Sequence, residues 1–423
     1  MKGGKEMSEY IIKGGKKIEG EVDISGSKNA SLPIIAACVL NGGKSTLYNV
    51  PKIHDTEMMF EILKRLGGSV EKKKNKVIID TSKIEKYEIP EELMRQMRSS
   101  VILVGGLLGR YRKAVFSYPG GCDIGARPIE LHLKVFEKLG ININKNYGNI
   151  ECFCDKIIGE KIDLDFPSVG ATENAILASC LAEETTIINN AAREPEIVDL
   201  QNFLNKMGAK IKGAGTSHIE IEGVKQLKDV SYNIMPDRIE TGTFLCLAAI
   251  NRTNLIVKDA KAEHITPVID KLEEMGCKLK IEKNQIEINS PKKLKTVDIK
   301  TMPYPGFPTD MQSVFATMLT TVKGTSVIVE NIFESRYKYT QELVRMGAKI
   351  TTEGKTAIIK GVRKLYGTTV KATDLRGGAA LVVAGTAAKG ITKVENIEYI
   401  LRGYEDFSKK LEKIGVDIEL KGN

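Results

Sequence analysis

The segment FLNKMGAKI, residues 203–211, shows the pattern that decides the fold of this chain. Its apolar residues Phe203, Leu204 and Met207 have helical spacing, a glycine follows directly, and the last three residues alternate as in a strand. A glycine just past a periodic apolar stretch is the usual signal for the end of a helix. The segment therefore predicts a helix that stops at the glycine and a strand that begins after it.

The same helix-ending pattern occurs six times along the chain. The six pairs are Leu66–Gly67, Leu139–Gly140, Met207–Gly208, Met275–Gly276, Met346–Gly347 and Ile414–Gly415. Successive glycines are 73, 68, 68, 71 and 68 residues apart, and self-similarity at a nearly fixed period indicates a repeat architecture. Because single cores stop growing well below 423 residues, we expect two domains of three units each.

Each unit also contains a helix made mainly of small and apolar residues, which predicts a buried helix. These helices are expected at 30–40, 101–108, 171–181, 243–250, 311–320 and 379–388. A strand-like run follows each of them, at 45–50, 114–118, 185–189, 254–258, 326–330 and 392–396. The pattern predicts an α/β fold with a six-fold internal repeat.

The composition excludes several classes of protein. The chain has 63 basic and 54 acidic residues, a formal charge of +9, which favours acidic ligands such as phosphates and nucleotides. It carries no recognition signature for nucleic acid, no apolar run near the roughly 20 residues of a membrane span, and no signal peptide. Seven scattered cysteines argue for a reducing cytoplasm, and four histidines give no metal-binding cluster.

Polar and charged residues recur where the buried helices begin. The set is Lys28, Arg98, Ser168, Arg238, Asp310 and Arg376, at steps of 70, 70, 70, 72 and 66 residues. Helix N-termini suit phosphate and carboxylate groups, although Ser27, Ser168 and Thr309 have the alternative role of capping the helix. Basic residues oppose the helix dipole at this end, so capping explains them less well and a bound anion explains them better.

A second set of polar residues lies in the loops after the strands, above all in the loop at 119–128. This loop has three glycines, Cys122 and Arg127. A glycine-rich loop is suited to a lid, and a thiol near a fixed positive charge is suited to acid, base or nucleophilic chemistry. The alternative is an ordinary surface loop. Helix starts and loops together are expected to line one cleft between the domains.

These residues belong to phrases that match a known family along almost the whole chain. The phrases are ISGSKNA (24–30), PGGC (119–122) with IGARP (124–128), NAAREPE (190–196), PDRIETG (236–242), FPTDMQ (307–312), ATDLR (372–376) and RGY (402–404). The chain resembles the enolpyruvyl transferase family. The resemblance implies two similar domains, each an inside-out α/β barrel of three units. They would span residues 21–235 and residues 1–20 plus 236–423, with the active site in the cleft between them.

The resemblance also implies an activity. The expected reaction transfers the enolpyruvyl group of phosphoenolpyruvate to the 3′-hydroxyl of UDP-N-acetylglucosamine and releases phosphate. It is the first committed step of peptidoglycan synthesis, in the cytoplasm, and needs no metal or organic cofactor. The alternatives are a relative that uses shikimate 3-phosphate, which lacks the Gly–Gly–Cys phrase, a non-enzymatic DNA clamp of six similar units, and an inactive paralogue. The residues leave the oligomeric state open.

Roles follow from the resemblance residue by residue. Cys122 matches the family's lid cysteine, whose role is that of the acid at C3 of phosphoenolpyruvate or a role in product release, and which is the site alkylated by the inhibitor fosfomycin. Asp310 matches the base at the sugar hydroxyl. Lys28, Arg127 and Arg402 match the cations on the phosphate of phosphoenolpyruvate, and Asn29, Arg98, Asp374 and Arg376 match supporting positions around that site. Lys28, Arg402 and Asp374 are expected to take part in catalysis with Cys122 and Asp310. The positions expected to contact the UDP-sugar are Arg98, Arg127, Pro128, Ile129, Glu130, Leu131, Ser168, Val169, Asp310 and Ile332.

Some positions depart from the family pattern or have a second explanation. Phe166 and Pro167 depart from the lysine and valine of better-known members, so a cation at the diphosphate is missing or replaced. Asp237, Glu334 and Arg336 match family positions, and interdomain ion pairs are the alternative role for these three residues.

Overall fold

The structure is a computed structural model that describes residues 8–120, 129–146 and 148–422. Its contacts divide the chain into two compact units. We call residues 26–235 the N-terminal unit, and residues 8–25 with 236–422 the C-terminal unit. The chain passes from one unit to the other after Ser25 and returns after Met235.

The described residues form the following helices. They are α1 Lys28–Ala37, α2 His54–Leu66, α3 Glu91–Met94, α4 Ile102–Tyr111, α5 Glu130–Lys138, α6 Val169–Ser179, α7 Pro195–Met207, α8 Arg238–Asn251, α9 Thr266–Glu274, α10 Gln312–Leu319, α11 Tyr339–Arg345, α12 Leu375–Ala387, α13 Glu398–Leu401 and α14 Phe407–Lys413. Short 3-10 helices lie at Arg98–Val101, Ala262–His264 and Thr309–Met311.

The strands are short, as is usual where helices and strands alternate. They are β1 Glu9–Lys13, β2 Glu21–Asp23, β3 Lys44–Tyr48, β4 Ser69–Lys73, β5 Lys76–Asp80, β6 Lys113–Ser117, β7 Asn142–Asn146, β8 Asn149–Phe153, β9 Lys161–Asp163, β10 Thr185–Asn189, β11 Lys210–Lys212, β12 His218–Glu222, β13 Val230–Asn233, β14 Asn254–Lys258, β15 Lys278–Glu282, β16 Gln285–Asn289, β17 Ile299–Lys300, β18 Thr325–Val329, β19 Lys349–Glu353, β20 Thr356–Lys360, β21 Thr369–Lys371, β22 Ile391–Glu395 and β23 Asp417–Lys421.

The N-terminal unit places three apolar helices, α1, α4 and α6, inside three sheets. The sheets have strand orders β13-β3-β5-β4, β6-β8-β7 and β11-β12-β10-β9. Helix α4 packs against both α1 and α6. Residues 171–179 of α6 are all buried, as the composition predicts for a helix without a polar face.

The C-terminal unit repeats this arrangement with α8, α10 and α12. Its sheets have strand orders β15-β16-β14-β2, β17-β18-β20-β19 and β21-β22-β1-β23. Each of the three helices contacts the other two, and the side chains between them form one apolar core. The predicted fold class, three repeated units around buried helices in each half, is confirmed.

Two strands are exchanged between the repeats. In β9-α6-β10, the strand before the buried helix pairs in parallel with the strand after it, and the same holds for β17-α10-β18 and β21-α12-β22. Strand β2 instead pairs in parallel with β14, and β13 pairs in parallel with β3. The two points at which the chain passes between units therefore follow directly after exchanged strands.

The six predicted helix stops are confirmed by their backbone angles. All six glycines have positive φ: 110° at Gly67, 77° at Gly140, 106° at Gly208, 101° at Gly276, 92° at Gly347 and 93° at Gly415. This left-handed conformation costs a residue with a side chain about 1–2 kcal/mol, so the repeated glycine has a physical reason. The predicted buried helices and the strands after them all exist; two of these strands, at 185–189 and 254–258, match exactly, and the ends of the other elements are shifted by at most five residues.

Within the described ranges, the structure contains no helix that is both long and apolar enough to span a bilayer.

Candidate active site

The first helix of the N-terminal unit begins with a buried lysine. Ser27 accepts a hydrogen bond from the Ala30 amide at 3.2 Å, so its alternative role as a helix cap is confirmed. Lys28 is only 8% exposed, and its Nζ lies 2.8 Å from Oδ2 of Asp55 in the first turn of α2. Asp55 itself is buried and was not identified from the sequence.

The same unit holds a buried histidine that the sequence also did not single out. Asn174 on α6 donates from Nδ2 to Nδ1 of His132 at 2.7 Å and to the Val101 carbonyl at 3.1 Å. This contact assigns the proton of the neutral imidazole to Nε2. A Cβ at Gly170 would lie 2.9 Å from Cε1 of His132, so the imidazole packs against the start of α6. His132 directly follows the predicted UDP-sugar run 127–131, and this position is the sequence feature that could have identified it.

The start of α6 is capped by the serine that precedes it. Ser168 accepts from the Ala171 amide at 3.4 Å, which confirms its alternative role as a cap.

The predicted UDP-sugar segment also leads into a helix. Ile129, just before α5, is buried, and Glu130, the first residue of α5, is exposed. The described part of the predicted UDP-sugar segment is Ile129–Glu130–Leu131, and its last two residues form the start of the helix that carries His132.

In the C-terminal unit, Asp310 lies between two arginines. Nη2 of Arg336 is 2.9 Å from its Oδ1, and Nη2 and Nε of Arg376 are 3.0 and 3.2 Å from its Oδ2. Both arginine side chains are about 96% buried or more, whereas that of Asp310 is 26% exposed. The carboxylate is therefore held on one side and reachable on the other.

This geometry bears on how Asp310 and Arg336 are held. Asp310 does not cap a helix: the 3-10 turn at Thr309–Met311 and helix α10 have no side-chain cap. Arg336 makes its ion pair with Asp310 inside the C-terminal unit, so an interdomain pair is not needed to explain it. Burial, the largest single influence, would lower the pKa of Arg376, but the charge of Asp310 together with Tyr404 and Asp237 outweighs it, so the pKa is raised.

The caps of the C-terminal unit also differ from expectation. Thr309 does not cap; its hydroxyl donates to Oε2 of Glu330 at 2.9 Å. Asp374 accepts from the amides of Arg376 and Gly377, both at 3.0 Å, and so caps α12. Asp237 caps α8 in the same way, whereas Glu334 is exposed.

Two of the basic residues at helix starts, Lys28 and Arg376, have acidic partners in the structure. Basic residues at helix starts were expected to indicate a ligand because nothing nearby offsets their cost. Lys28 has Asp55 and Arg376 has Asp310, so part of that cost is offset inside each unit. The arrangement does, however, leave buried cations close to helix N-termini, which is suited to binding an anion.

A comparison with known sequences now places the chain. Residues 12–411 match the profile of EPSP synthase (3-phosphoshikimate 1-carboxyvinyltransferase). The chain belongs to the EPSP synthase family. Within this family, it is 52% identical to UDP-N-acetylglucosamine 1-carboxyvinyltransferase 2 of Caldanaerobacter subterraneus subsp. tengcongensis, over 97% of this chain and 99% of the relative. It is 48% identical to UDP-N-acetylglucosamine 1-carboxyvinyltransferase of Geotalea uraniireducens, over 97% and 99%.

Solved structures of the family have the same fold. The enolpyruvyl transferase NikO from Streptomyces tendae superposes with a TM-score of 0.89 at 24% identity, with 99% of each chain covered. EPSP synthase from Acinetobacter baumannii gives a TM-score of 0.77 at 19% identity, with 98% of this chain and 100% of that chain covered. These two structures show the fold, and the family profile and the sequence relatives confirm the resemblance to the enolpyruvyl transferases.

The structure describes most, but not all, of the residues that the family resemblance implicates. Cys122, Arg127 and Pro128 lie outside the described residues. Asn29, Arg98, Val169, Ile332 and Arg402 are all partly exposed. They lie in the first turn of α1, at the start of a 3-10 helix, at the start of α6, in the loop after β18, and just after α13, respectively. Phe166, which departs from the family pattern, is 41% exposed.

Proposed function

We propose that this chain transfers the enolpyruvyl (carboxyvinyl) group of phosphoenolpyruvate to the 3′-hydroxyl of UDP-N-acetylglucosamine and releases phosphate. The observation that supports this most strongly is the identity of about 50% to enzymes named for this reaction, over nearly the full length of both chains. By this proposal the chain is a transferase that catalyses the first step of peptidoglycan synthesis.

Asp310 is the proposed base at the acceptor hydroxyl. Its two arginine partners fix its orientation, while its exposed fraction leaves it accessible. When the sugar oxygen bonds to C2 of phosphoenolpyruvate, its proton passes to Asp310. A general base must be within reach of the proton and correctly oriented, and the two arginines supply that orientation.

A set of cations is proposed to bind phosphoenolpyruvate: Lys28, Arg127, Arg376 and Arg402, with Asn29 beside them. Fixed cations are needed because phosphate and carboxylate charges must be held through a tetrahedral ketal and then released. Asp374 supports this set, since it accepts from the Arg376 amide and so fixes the start of α12. The buried Lys28 is the first residue of α1 and lies close to the free amides at the start of that helix.

Cys122 is the proposed acid at C3. In the addition step C3 gains a proton and C2 gains the acceptor oxygen. In the elimination step C3 loses a proton, the C2–O bond to phosphate breaks, and the double bond re-forms. We also propose that fosfomycin alkylates the Cys122 thiol. The acceptor would contact Arg98, Arg127, Pro128, Ile129, Glu130, Leu131, Ser168, Val169, Asp310 and Ile332.

The wider role belongs to the same proposal. A committed step of peptidoglycan synthesis serves cell-wall formation, and through it cell shape and division. A cytoplasmic location fits a chain with seven scattered cysteines and nucleotide-linked substrates.

The decisive experiment measures phosphate release from phosphoenolpyruvate with UDP-N-acetylglucosamine, with shikimate 3-phosphate, and with no acceptor. Fosfomycin is then added to the unsubstituted protein, to Cys122→Asp and to Cys154→Ser. Cys154 is a half-buried thiol outside the loop, so its variant controls for alkylation elsewhere.

Release that requires UDP-N-acetylglucosamine, that fosfomycin abolishes in the unsubstituted protein and Cys154→Ser, and that persists in Cys122→Asp is the expected result. Release only with shikimate 3-phosphate would reassign the acceptor. Absence of release with either acceptor would favour an inactive paralogue.

A further inference from the structure

Glu330 is a buried carboxylate with no assigned role that joins two segments, the loop of Ile332 and the turn of Asp310. Glu330, which follows β18, is 1% exposed. Its Oε1 accepts from the amides of Ile332 at 2.8 Å and Phe333 at 3.1 Å, and from the hydroxyl of Thr301 at 2.9 Å. All four groups lie in the C-terminal unit.

The other oxygen of Glu330 reaches the segment that carries Asp310. Its Oε2 accepts from the hydroxyl of Thr309 at 2.9 Å, and Thr309 directly precedes Asp310 in the short 3-10 helix. Thr301 adds a further link between Glu330 and this loop, because its hydroxyl oxygen also accepts from the Asn331 amide at 2.9 Å. A single carboxylate thus ties the loop of Ile332 to the turn of Asp310.

The bonding pattern makes this junction stiff. The carboxylate accepts four hydrogen bonds, two of them from backbone amides, and hydrogen bonds to a charged group are about twice as strong as neutral ones. Their burial keeps water from competing. Moving Ile332 without moving Thr309, or the reverse, would leave a buried charge short of donors.

We propose that Glu330 is a positioning residue for the acceptor: it holds Ile332 and Asp310 at a fixed spacing, so that the sugar is bound and its hydroxyl deprotonated by one preorganised element. This inference rests on the proposed function, in which Ile332 contacts the UDP-sugar and Asp310 is the base. Functional groups must be held to within fractions of an ångström by such supporting contacts.

The test uses two substitutions of Thr309, one that removes the hydroxyl contact and one that keeps it. Thr309→Val removes the hydrogen bond to Glu330 and keeps the shape, whereas Thr309→Ser keeps the hydrogen bond and loses a methyl group. We expect Thr309→Val to lower kcat by about tenfold to a hundredfold, the range for a misplaced catalytic group. Thr309→Ser should stay within about threefold of the unsubstituted protein, because hydroxyl donation is retained.

A second pair of variants separates acceptor from donor. Glu330→Ala is expected to raise KM for UDP-N-acetylglucosamine about tenfold or more, with little change in KM for phosphoenolpyruvate. Glu330→Gln should restore much of the loss, since its amide oxygen accepts from the two backbone amides and its amino group donates to Thr309. Asp298→Asn is the control: Asp298 accepts from the Val327 amide of β18 at 2.7 Å and has no assigned role.

The outcomes are distinct. If Thr309→Val and Thr309→Ser have the same kcat, or if Glu330→Ala raises KM for both substrates equally, Glu330 is only a structural residue and the inference is wrong. The Thr309 pair decides the matter even if Glu330→Ala does not fold. If the unsubstituted protein shows no release with UDP-N-acetylglucosamine, the proposed function itself fails, and the inference with it.

Discussion

Arg376 donates two hydrogen bonds to one carboxylate oxygen of Asp310, from Nη2 at 3.0 Å and from Nε at 3.2 Å. The other oxygen accepts from Arg336 at 2.9 Å. A planar guanidinium presents two parallel donors, which a lysine ammonium does not. The orientation of the proposed base is therefore set by geometry as well as by charge, and this has a measurable consequence.

Arg376→Lys should lower kcat by about tenfold to a hundredfold while the protein stays folded, because the charge remains but the fork that orients Asp310 is lost. The measurement is steady-state phosphate release, with the melting temperature recorded alongside. The control is Arg345→Lys, an arginine on α11 that is 59% exposed. Equal activity of both variants would show that the fork is not needed.

Lys28→Ala should lower both turnover and stability. The substitution removes a proposed phosphate-binding cation, and it also deprives the buried Asp55 of its lysine partner. Breaking a buried ion pair costs about 3–5 kcal/mol, so the variant is expected to be clearly less stable than the parent. Chemical denaturation measures the free energy of unfolding, and Lys28→Arg, which keeps the charge pair, should lose less. A stability for Lys28→Ala equal to that of the parent would contradict this account.

Arg402→Ala should lose most turnover with little change in stability, since Arg402 is partly exposed just after α13. Removal of one well-placed donor from a site that stabilises developing charge costs about 2.7–4 kcal/mol of transition-state stabilisation. Activity is compared with that of Arg363→Ala, an exposed arginine outside the site. Turnover similar to that control would remove Arg402 from the phosphate-binding set.

Glu173→Gln should make the protein more stable at neutral and alkaline pH. Glu173 is buried in α6, and burial, then the nearby charges of Glu196 and Glu194, raise its pKa well above the usual value. The folded state therefore keeps a proton that the unfolded chain releases above its ordinary pKa, about 4.3. Stability from this group is full below that pH and falls as the pH rises.

A glutamine imitates the protonated side chain and removes this loss. Melting temperatures measured from pH 4 to pH 9 should diverge as the pH rises, with the variant higher. The control is Glu92→Gln, an exposed glutamate that should follow the parent. Parallel curves for Glu173→Gln and the parent would show that Glu173 ionises normally.

Much of the fold was predictable because its signals are local. Gly208 ends α7 at a φ of 106°. The signal for this stop, a glycine directly after apolar residues with helical spacing, is visible within any single repeat. The caps by Ser27 and Ser168 were considered as alternatives for the same reason, since the atoms involved are three residues apart. The exchange of β2 and β13 between repeats has no such local signal, because parallel pairing depends on distant partners.

The site was less predictable because its partners are distant in sequence. Family phrases located Lys28, Asp310 and Arg376, but Asp310 meets arginines 26 and 66 residues away. Asp55 was missed because it stands in the first turn of an ordinary amphipathic helix. Glu330 was missed because it looks like the last residue of a strand.

The sequence by itself determined the six repeated units, the helix stops, the buried helices and the family, because each depends on residue types at short, regular spacing. Only the tertiary structure decided which charges meet: Lys28 with Asp55, Asp310 with Arg336 and Arg376, and Glu330 with Thr309 and the amides of the next loop. The physical reason is that ion pairs and buried hydrogen bonds depend on distances of about 3 Å. Those distances are set by the packing of helices and sheets and not by separation along the chain.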